Sequence, residues 1–105
     1  MEQPNFEYIN ALADGDEHFR NKLLLVIQNE FPQELEAYQD ASQTNNFFAI
    51  AELVHKLKNK ISMLGLNQGY RTAQAYEEGL KKGDLSKREK FEAVLDAMTH
   101  FIKSF

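Results

Sequence analysis

The sequence predicts an all-α protein, an up-down antiparallel four-helix bundle with one or two short additional N-terminal helices. Apolar residues recur every three or four positions along most of the chain, as they do on amphipathic helices. No segment shows the sustained alternation and β-branched enrichment of strands. Short breaks at glycine, proline or asparagine separate the periodic segments, and short connections place consecutive helices antiparallel. The length of 105 residues fits a single domain over 1–105.

The N-terminal half is predicted to contain three helices, over about 5–12, 16–30 and about 32–43. Asp16 follows a turn and suits the N-cap position, where its side chain can accept a backbone hydrogen bond. Apolar residues recur at helical spacing from Phe19 to Ile27, and Leu24 and Leu25 widen this stripe, which predicts a central helix that is well covered by its neighbours. Pro32 is expected to end this helix and to start the next, because proline is tolerated in a first helical turn.

The C-terminal half is predicted to contain three long helices, over 46–65, 67–81 and 87–103. The pair Asn45-Asn46 is expected to cap the first of these, and Asn67 is expected to open the second. Gly65 is expected to take the left-handed conformation of a Schellman ending. Ser86 and Glu89 have the spacing of a capping box at the start of the last helix.

Composition narrows the classes of function. The chain has no cysteine, which excludes disulfides, thiolate metal ligands and a cysteine nucleophile. A formal charge of −4 gives no support to general binding of nucleic acid. The longest apolar run, Leu23–Ile27, is far shorter than the ~20 residues of a membrane span. The first residues do not have the basic and apolar pattern of a secretory signal, so none is expected. We therefore expect a monomeric, cytoplasmic protein that has neither nucleic acid nor a membrane as a partner.

His55 is the histidine best placed for chemistry. An apolar stripe from Ile50 to Leu64 is expected to face the core, and the helical rotation turns His55 about 140° away from it. His55 should therefore project into solvent from the middle of a helix. An exposed histidine is often only a solvated side chain, so this plainer interpretation stays open from geometry alone. The same outward face is predicted to carry Phe48, Ala51, Glu52, Lys58, Asn59 and Ser62.

Other candidate sites are weaker. His18 in a first turn and His100 opposite an apolar stripe are expected to be ordinary solvated residues. Glu52 and His55 have the E-x-x-H spacing of di-iron bundles, but a second pair is missing and His55 faces outward, so no metal site is predicted. The sequence has neither a nucleophile-elbow serine nor a glycine-rich phosphate loop. The Glu77-Glu78 pair is interpreted as ordinary charge at a helix edge.

The segment His55-Lys56-Leu57-Lys58, with Leu64-Gly65 at the end of the helix, resembles the signature of histidine-containing phosphotransfer (HPt) domains of two-component phosphorelays. The resemblance covers about residues 5–103. The family usually has glycine where this chain has Asn59. Further points of similarity are the Asp14-Gly15-Asp16 turn, Phe31-Pro32, and the segment Ala73…Tyr76-Glu77, where the family has a small residue followed by an apolar-Glu pair.

The resemblance implies that His55 accepts a phosphoryl group from the aspartyl phosphate of a receiver domain and passes it to another receiver. Lys58 would stabilise the phosphoryl charge, within a positive cluster of Lys56, Lys58 and Lys60. The chain would be a phosphocarrier and not an enzyme, with no nucleotide, metal or cofactor site, and the receiver would bring Mg²⁺. Its partners would be response-regulator receiver domains, a hybrid sensor histidine kinase, or both. Contacts with the partner are expected from Phe48, Ala51, Glu52, Lys56, Asn59 and Ser62.

Two other classes of function stay open. Asn59 is compatible with a degenerate HPt-like bundle that only binds proteins, because a small residue there would leave space for the phosphoryl group and the partner. The chain could also be an unrelated helical interaction module in which His55 is incidental. An enzyme with its own active site is the least favoured class, since no second catalytic group is expected beside His55.

Overall fold

The structure is a computed structural model, and it describes residues 2–105. Over these residues the chain forms helices and no strand, which confirms the predicted all-α class and a bundle of four long helices with one short N-terminal helix. The helices are α1 (Glu7–Ala13), α2 (Glu17–Ser42), α3 (Phe47–Met63), α4 (Asn67–Leu80) and α5 (Arg88–Lys103).

Helix α2 is continuous over 26 residues and has Pro32 in its interior, so the predicted break between 16–30 and 32–43 is wrong. An internal proline removes one helical hydrogen bond and crowds the preceding turn. Pro32 is exposed, however, and its neighbours Phe31 and Tyr38 are buried in the core. The burial of these large side chains outweighs the local cost of the proline.

The first half of α2 is less covered than the sequence predicts. Ile27 is fully buried, but Phe19, Leu25 and Val26 are exposed by 41%, 56% and 41%. At a rise of ~1.5 Å per residue, α2 is about 39 Å long and α3 only about 26 Å, so α3 cannot run along all of α2. The prediction that neighbouring helices cover this apolar stripe is therefore correct only for the part of α2 that packs against them.

The helix starts agree only in part with the predicted caps. Asp16 and Asn46 each accept a hydrogen bond from the backbone amide three residues later, at 3.0 and 3.1 Å, as predicted. Asn67 opens α4 as its first residue, as predicted, although α4 has no side-chain cap from its own N-cap residue. The predicted capping box at Ser86 is wrong, because the Ser86 backbone amide donates to the Asp84 side chain in the preceding turn, at 2.9 Å.

The turn between α3 and α4 is a Schellman ending, as predicted. Gly65 has φ +75°. Its amide donates to the Ser62 carbonyl at 3.1 Å, and the Leu66 amide donates to the Ile61 carbonyl at 3.2 Å. This tight connection sets α4 antiparallel to α3 and fixes which residues of the two helices face each other.

The N-terminal residues bind to this same turn. The backbone amide of Asn5 donates a hydrogen bond to the Leu64 carbonyl at 2.9 Å. The Glu2 carboxylate accepts hydrogen bonds from the amides of Gln68 and Gly69, at 2.9 and 3.0 Å. Glu2 thus caps α4 from 66 residues away, since the first amides of a helix have no partner within it.

A buried polar group links α2, α4 and α5 inside an otherwise apolar core. The Tyr38 and Tyr76 hydroxyls lie 3.1 Å apart. Tyr38 donates to Glu92 at 2.8 Å, and Arg88 donates to the Tyr76 hydroxyl at 2.8 Å. Burial, followed by the hydrogen bonds with Tyr76 and Glu92, raises the pKa of Tyr38 far above its ordinary value, so the hydroxyl stays protonated. Tyr76 is therefore held in place next to Glu77.

Candidate functional site

His55 lies in the middle of α3 and projects into solvent, as predicted, with 61% of its side chain exposed. The opposite face of the helix is fully buried at Val54, Leu57 and Ile61. Because this face is packed into the core, the backbone of His55 has little freedom. The imidazole is therefore presented on a rigid support.

Glu77 of α4 contacts the inner nitrogen of the imidazole. Nδ1 of His55 lies 3.1 Å from Oε2 and 3.3 Å from Oε1 of Glu77. A carboxylate accepts hydrogen bonds and does not donate them, so the neutral imidazole carries its proton on Nδ1. Its Nε2 then has a free lone pair, and Nε2 is the nitrogen available for nucleophilic attack.

Lys58 binds the same carboxylate. Its ammonium nitrogen lies 3.0 Å from Oε1 of Glu77, and its side chain is only 12% exposed. Burial would raise the pKa of Glu77, but the hydrogen bond and charge of Lys58, together with His55, lower it overall. The pair therefore keeps Glu77 ionised near neutral pH, with a positive charge one helical turn from His55.

The interpretation of Glu77 as ordinary charge is wrong. Its side chain is 14% exposed and touches both His55 and Lys58, whereas Glu78 is exposed. The sequence does contain a signal for this contact. His55 precedes Gly65 by ten residues and Glu77 follows it by twelve, so a tight antiparallel turn at Gly65 brings the two to the same level.

Lys60 does not lie beside His55, so its predicted place in the positive cluster with Lys56 and Lys58 is wrong. Lys60 is 6% exposed, and its ammonium lies 2.8 Å from Glu30 and 3.3 Å from Glu34 of α2. Burial alone would lower the pKa of Lys60, but its two glutamates raise it overall. The physical reason for the error is rotation, since five residues on a helix turn a side chain by about 140° relative to His55.

A family model described as Hpt domain matches residues 22–103, which include all the site residues named above. The chain belongs to the Hpt domain family. Comparisons with curated proteins and with solved structures gave no significant match. Hpt domains are phosphotransfer modules of phosphorelays, which agrees with the resemblance found in the sequence.

The surface around His55 in this Hpt domain is close to the prediction. Phe48 is 73% exposed, and four polar residues of this face are exposed as well. There are two exceptions: the Lys58 side chain is only 12% exposed, and Ala51 is buried, with 4% exposure. Its predicted place on the exposed face is wrong, because the contact with α4 covers a wider sector of α3 than the apolar stripe alone indicates. The exposed polar residues are Glu52, Lys56, Asn59 and Ser62.

The remaining histidines of the Hpt domain lie elsewhere. His18 and His100 are both exposed, as expected. Within residues 2–105, no group of three or more histidine, aspartate or glutamate side chains is arranged to hold a metal ion. Over the same range, no helix combines the length and the apolar character that a membrane span requires.

Proposed function

We propose that this Hpt domain is a phosphorelay intermediate and that Nε2 of His55 carries the phosphoryl group. The observation that carries the proposal is the exposed imidazole whose Nδ1 is held by Glu77. Nε2 attacks the phosphorus of a receiver's aspartyl phosphate. The new N–P bond forms as the aspartyl O–P bond breaks, and the aspartate leaves as a carboxylate. Transfer to a second receiver is the reverse of this step.

Glu77 prepares His55 for both directions of the reaction. Before transfer, it holds the proton on Nδ1 and orients the ring. As the N–P bond forms, positive charge develops on the imidazole, and the nearby carboxylate stabilises it. Such preorganised electrostatic stabilisation supports a reaction in which the protein contributes mainly position and charge.

Lys58 supplies positive charge beside the transferred group. The phosphoryl oxygens carry negative charge throughout the transfer, and an ammonium near them lowers the energy of the transition state. Lys58 is held one helical turn from His55 by its contact with Glu77. Glu77 therefore positions both the nucleophile and the cation.

The partner supplies the rest of the chemistry under this proposal. The receiver domain brings the aspartate and Mg²⁺, and this chain acts as a phosphocarrier without a nucleotide or metal site of its own. Phe48 and the exposed polar residues around His55 form the surface that the receiver contacts. We propose that the protein works as a monomer in the cytoplasm with receiver domains, a hybrid sensor kinase, or both.

The experiment that tests the proposal is transfer from phosphorylated receivers of the source organism. We expect an acid-labile, base-stable label on the wild type and on the matched control His100→Gln, and none on His55→Gln. Label that survives in His55→Gln would contradict the assignment of the site. Receivers that bind the protein but never label it would instead favour the degenerate bundle that only binds partners.

A further inference from the structure

Lys58 rests against two groups of α4. Its ammonium nitrogen lies 3.0 Å from the Glu77 carboxylate and 5.4 Å from the centre of the Tyr70 ring. Tyr70 and Glu77 are seven residues apart, so they lie on nearly the same face of α4, two turns from each other. The ammonium is thus held from two sides along one helix face.

Tyr70 is a fixed support for this contact. It is half-buried and packs against the apolar core, which limits the orientation of its ring. Ala73 lies between Tyr70 and Glu77 in the sequence and is fully buried, so this face of α4 is packed into the bundle. A cation within ~6 Å of an aromatic ring centre is attracted by the negative face of the ring.

We propose that Tyr70 is a positioning residue that holds the Lys58 ammonium beside His55 by a cation–π contact. This inference rests on the proposed phosphotransfer at His55. The carboxylate of Glu77 is an anion and competes with a phosphoryl group for Lys58. The ring is neutral and does not compete in this way. Lys58 can therefore turn from Glu77 towards the phosphoryl oxygens while the ring still keeps the ammonium near the site.

Substitution of Tyr70 tests the contact through the transfer rate. We expect Tyr70→Leu to slow transfer at saturating receiver by about two- to fivefold, the size of one cation–π contact, with an unchanged KM. Tyr70→Phe keeps the ring and should transfer at the wild-type rate. Phe101→Leu is the matched control, since it removes a half-buried ring packed against Phe6 and should leave the rate unchanged.

A double-mutant cycle separates positioning from general stability. In a Lys58→Met background, Tyr70→Leu should have no further effect on the transfer rate, because the cation that the ring holds is already absent. An equal slowing by Tyr70→Leu in both backgrounds would overturn the proposal. If Tyr70→Leu does not fold, Tyr70→Met replaces it, since this variant keeps a long apolar side chain.

Nuclear magnetic resonance tests the contact without any phosphotransfer. The Hε protons of Lys58 should be shifted upfield by the ring in the wild type and in Tyr70→Phe, and this shift should be lost in Tyr70→Leu. An unshifted Lys58 signal in the wild type would overturn the inference even if His55 is phosphorylated. A shifted signal in a protein that never accepts label would instead overturn the proposed phosphotransfer alone.

Discussion

Glu77 of α4 binds two side chains of the neighbouring helix α3. Its two oxygens contact Nδ1 of His55 and the ammonium of Lys58, all within 3.3 Å. The carboxylate is mostly buried, so its charge is screened less than a surface charge would be. At the residue scale, the orientation of the His55 ring and the position of its proton therefore depend on a neighbour 22 positions away.

We expect Glu77→Gln to slow phosphotransfer several-fold and Glu77→Ala to slow it by about tenfold or more, because a hydrogen bond to a charged group contributes ~1.5–3 kcal/mol. The glutamine keeps a hydrogen-bond acceptor for Nδ1 but loses the charge, whereas the alanine loses both. The measurement is the rate of label transfer from a phosphorylated receiver. Glu78→Gln is the matched control on the exposed side of α4, and an equal effect there would contradict a specific role for Glu77.

Lys58→Met should raise the pKa of Glu77 towards or above its ordinary value of 4.5. Burial raises this pKa, and the variant lacks the ammonium whose hydrogen bond and charge lower it. A carboxylate with a lowered pKa stabilises the fold above its unfolded-state pKa, and this contribution is lost as pH falls through the folded-state value. The variant should thus lose part of the wild-type's pH dependence of stability near and below pH 4.5. Carbon-13 titration of the Glu77 carboxyl measures the shift, and an unchanged pKa would contradict the ion pair.

Asn59→Gly should leave transfer intact or make it faster, because it removes bulk one turn from the imidazole. Glycine lies about 1 kcal/mol and asparagine up to about 0.7 kcal/mol below alanine in helix propensity, so the substitution should cost only a few tenths of a kcal/mol of stability. Transfer rate and urea unfolding measure the two effects separately. A large loss of transfer would show that the Asn59 amide helps to bind the phosphoryl group.

At the element scale, the turn between α3 and α4 sets the register of the site. Gly65 has φ +75°, and a Cβ added there would lie 2.6 Å from Oδ1 of Asn5. The turn thus requires glycine for its conformation and for the close approach of the N-terminal segment. His55 and Glu77 meet only because this connection is tight.

Gly65→Ala should destabilise the protein by about 1–3 kcal/mol, from backbone strain and from the displacement of Asn5. Gly15→Ala is the matched control, since Gly15 has φ +86° but nothing within 4 Å of an added Cβ. It should show the cost of backbone strain alone. Urea unfolding compares the two, and an equal loss of stability would mean that the contact with Asn5 contributes nothing.

Local features of the sequence were predicted well, and tertiary features were not. The caps at Asp16 and Asn46, the glycine turn and the outward direction of His55 depend on a few neighbouring residues. The continuity of α2 through Pro32 depends on burial of the side chains around it. The partners of Lys60 also come from a different helix, and periodicity within one helix carries no information about them.

At the scale of the whole molecule, the bundle is elongated, with extents of 44 × 25 × 19 Å. Its two longest helices, α2 and α3, are joined across their interface by Lys60 with Glu30 and Glu34. The raised pKa of Lys60 means that this link stabilises the fold at neutral pH and is lost only as pH rises through the folded-state value, above the ordinary 10.5.

Lys60→Met should lower the free energy of unfolding by about 3 kcal/mol, because it leaves Glu34 mostly buried without its cation. The double variant Lys60→Met with Glu34→Leu should recover most of this loss, since apolar side chains of similar volume can replace a buried ion pair. Urea unfolding at neutral pH measures both. A double variant no more stable than Lys60→Met would show that the pair is needed for more than mutual neutralisation.

Under the proposed function, the contact between Glu77 and Nδ1 of His55 would also determine which chemical isomer the protein makes. With Nδ1 occupied by the carboxylate, the phosphoryl group would bond to Nε2, and the product would be 3-phosphohistidine and not 1-phosphohistidine. The two isomers differ in their phosphorus resonance and in the antibodies that distinguish them. A single carboxylate on a neighbouring helix thus gives the modified protein a defined chemical signature.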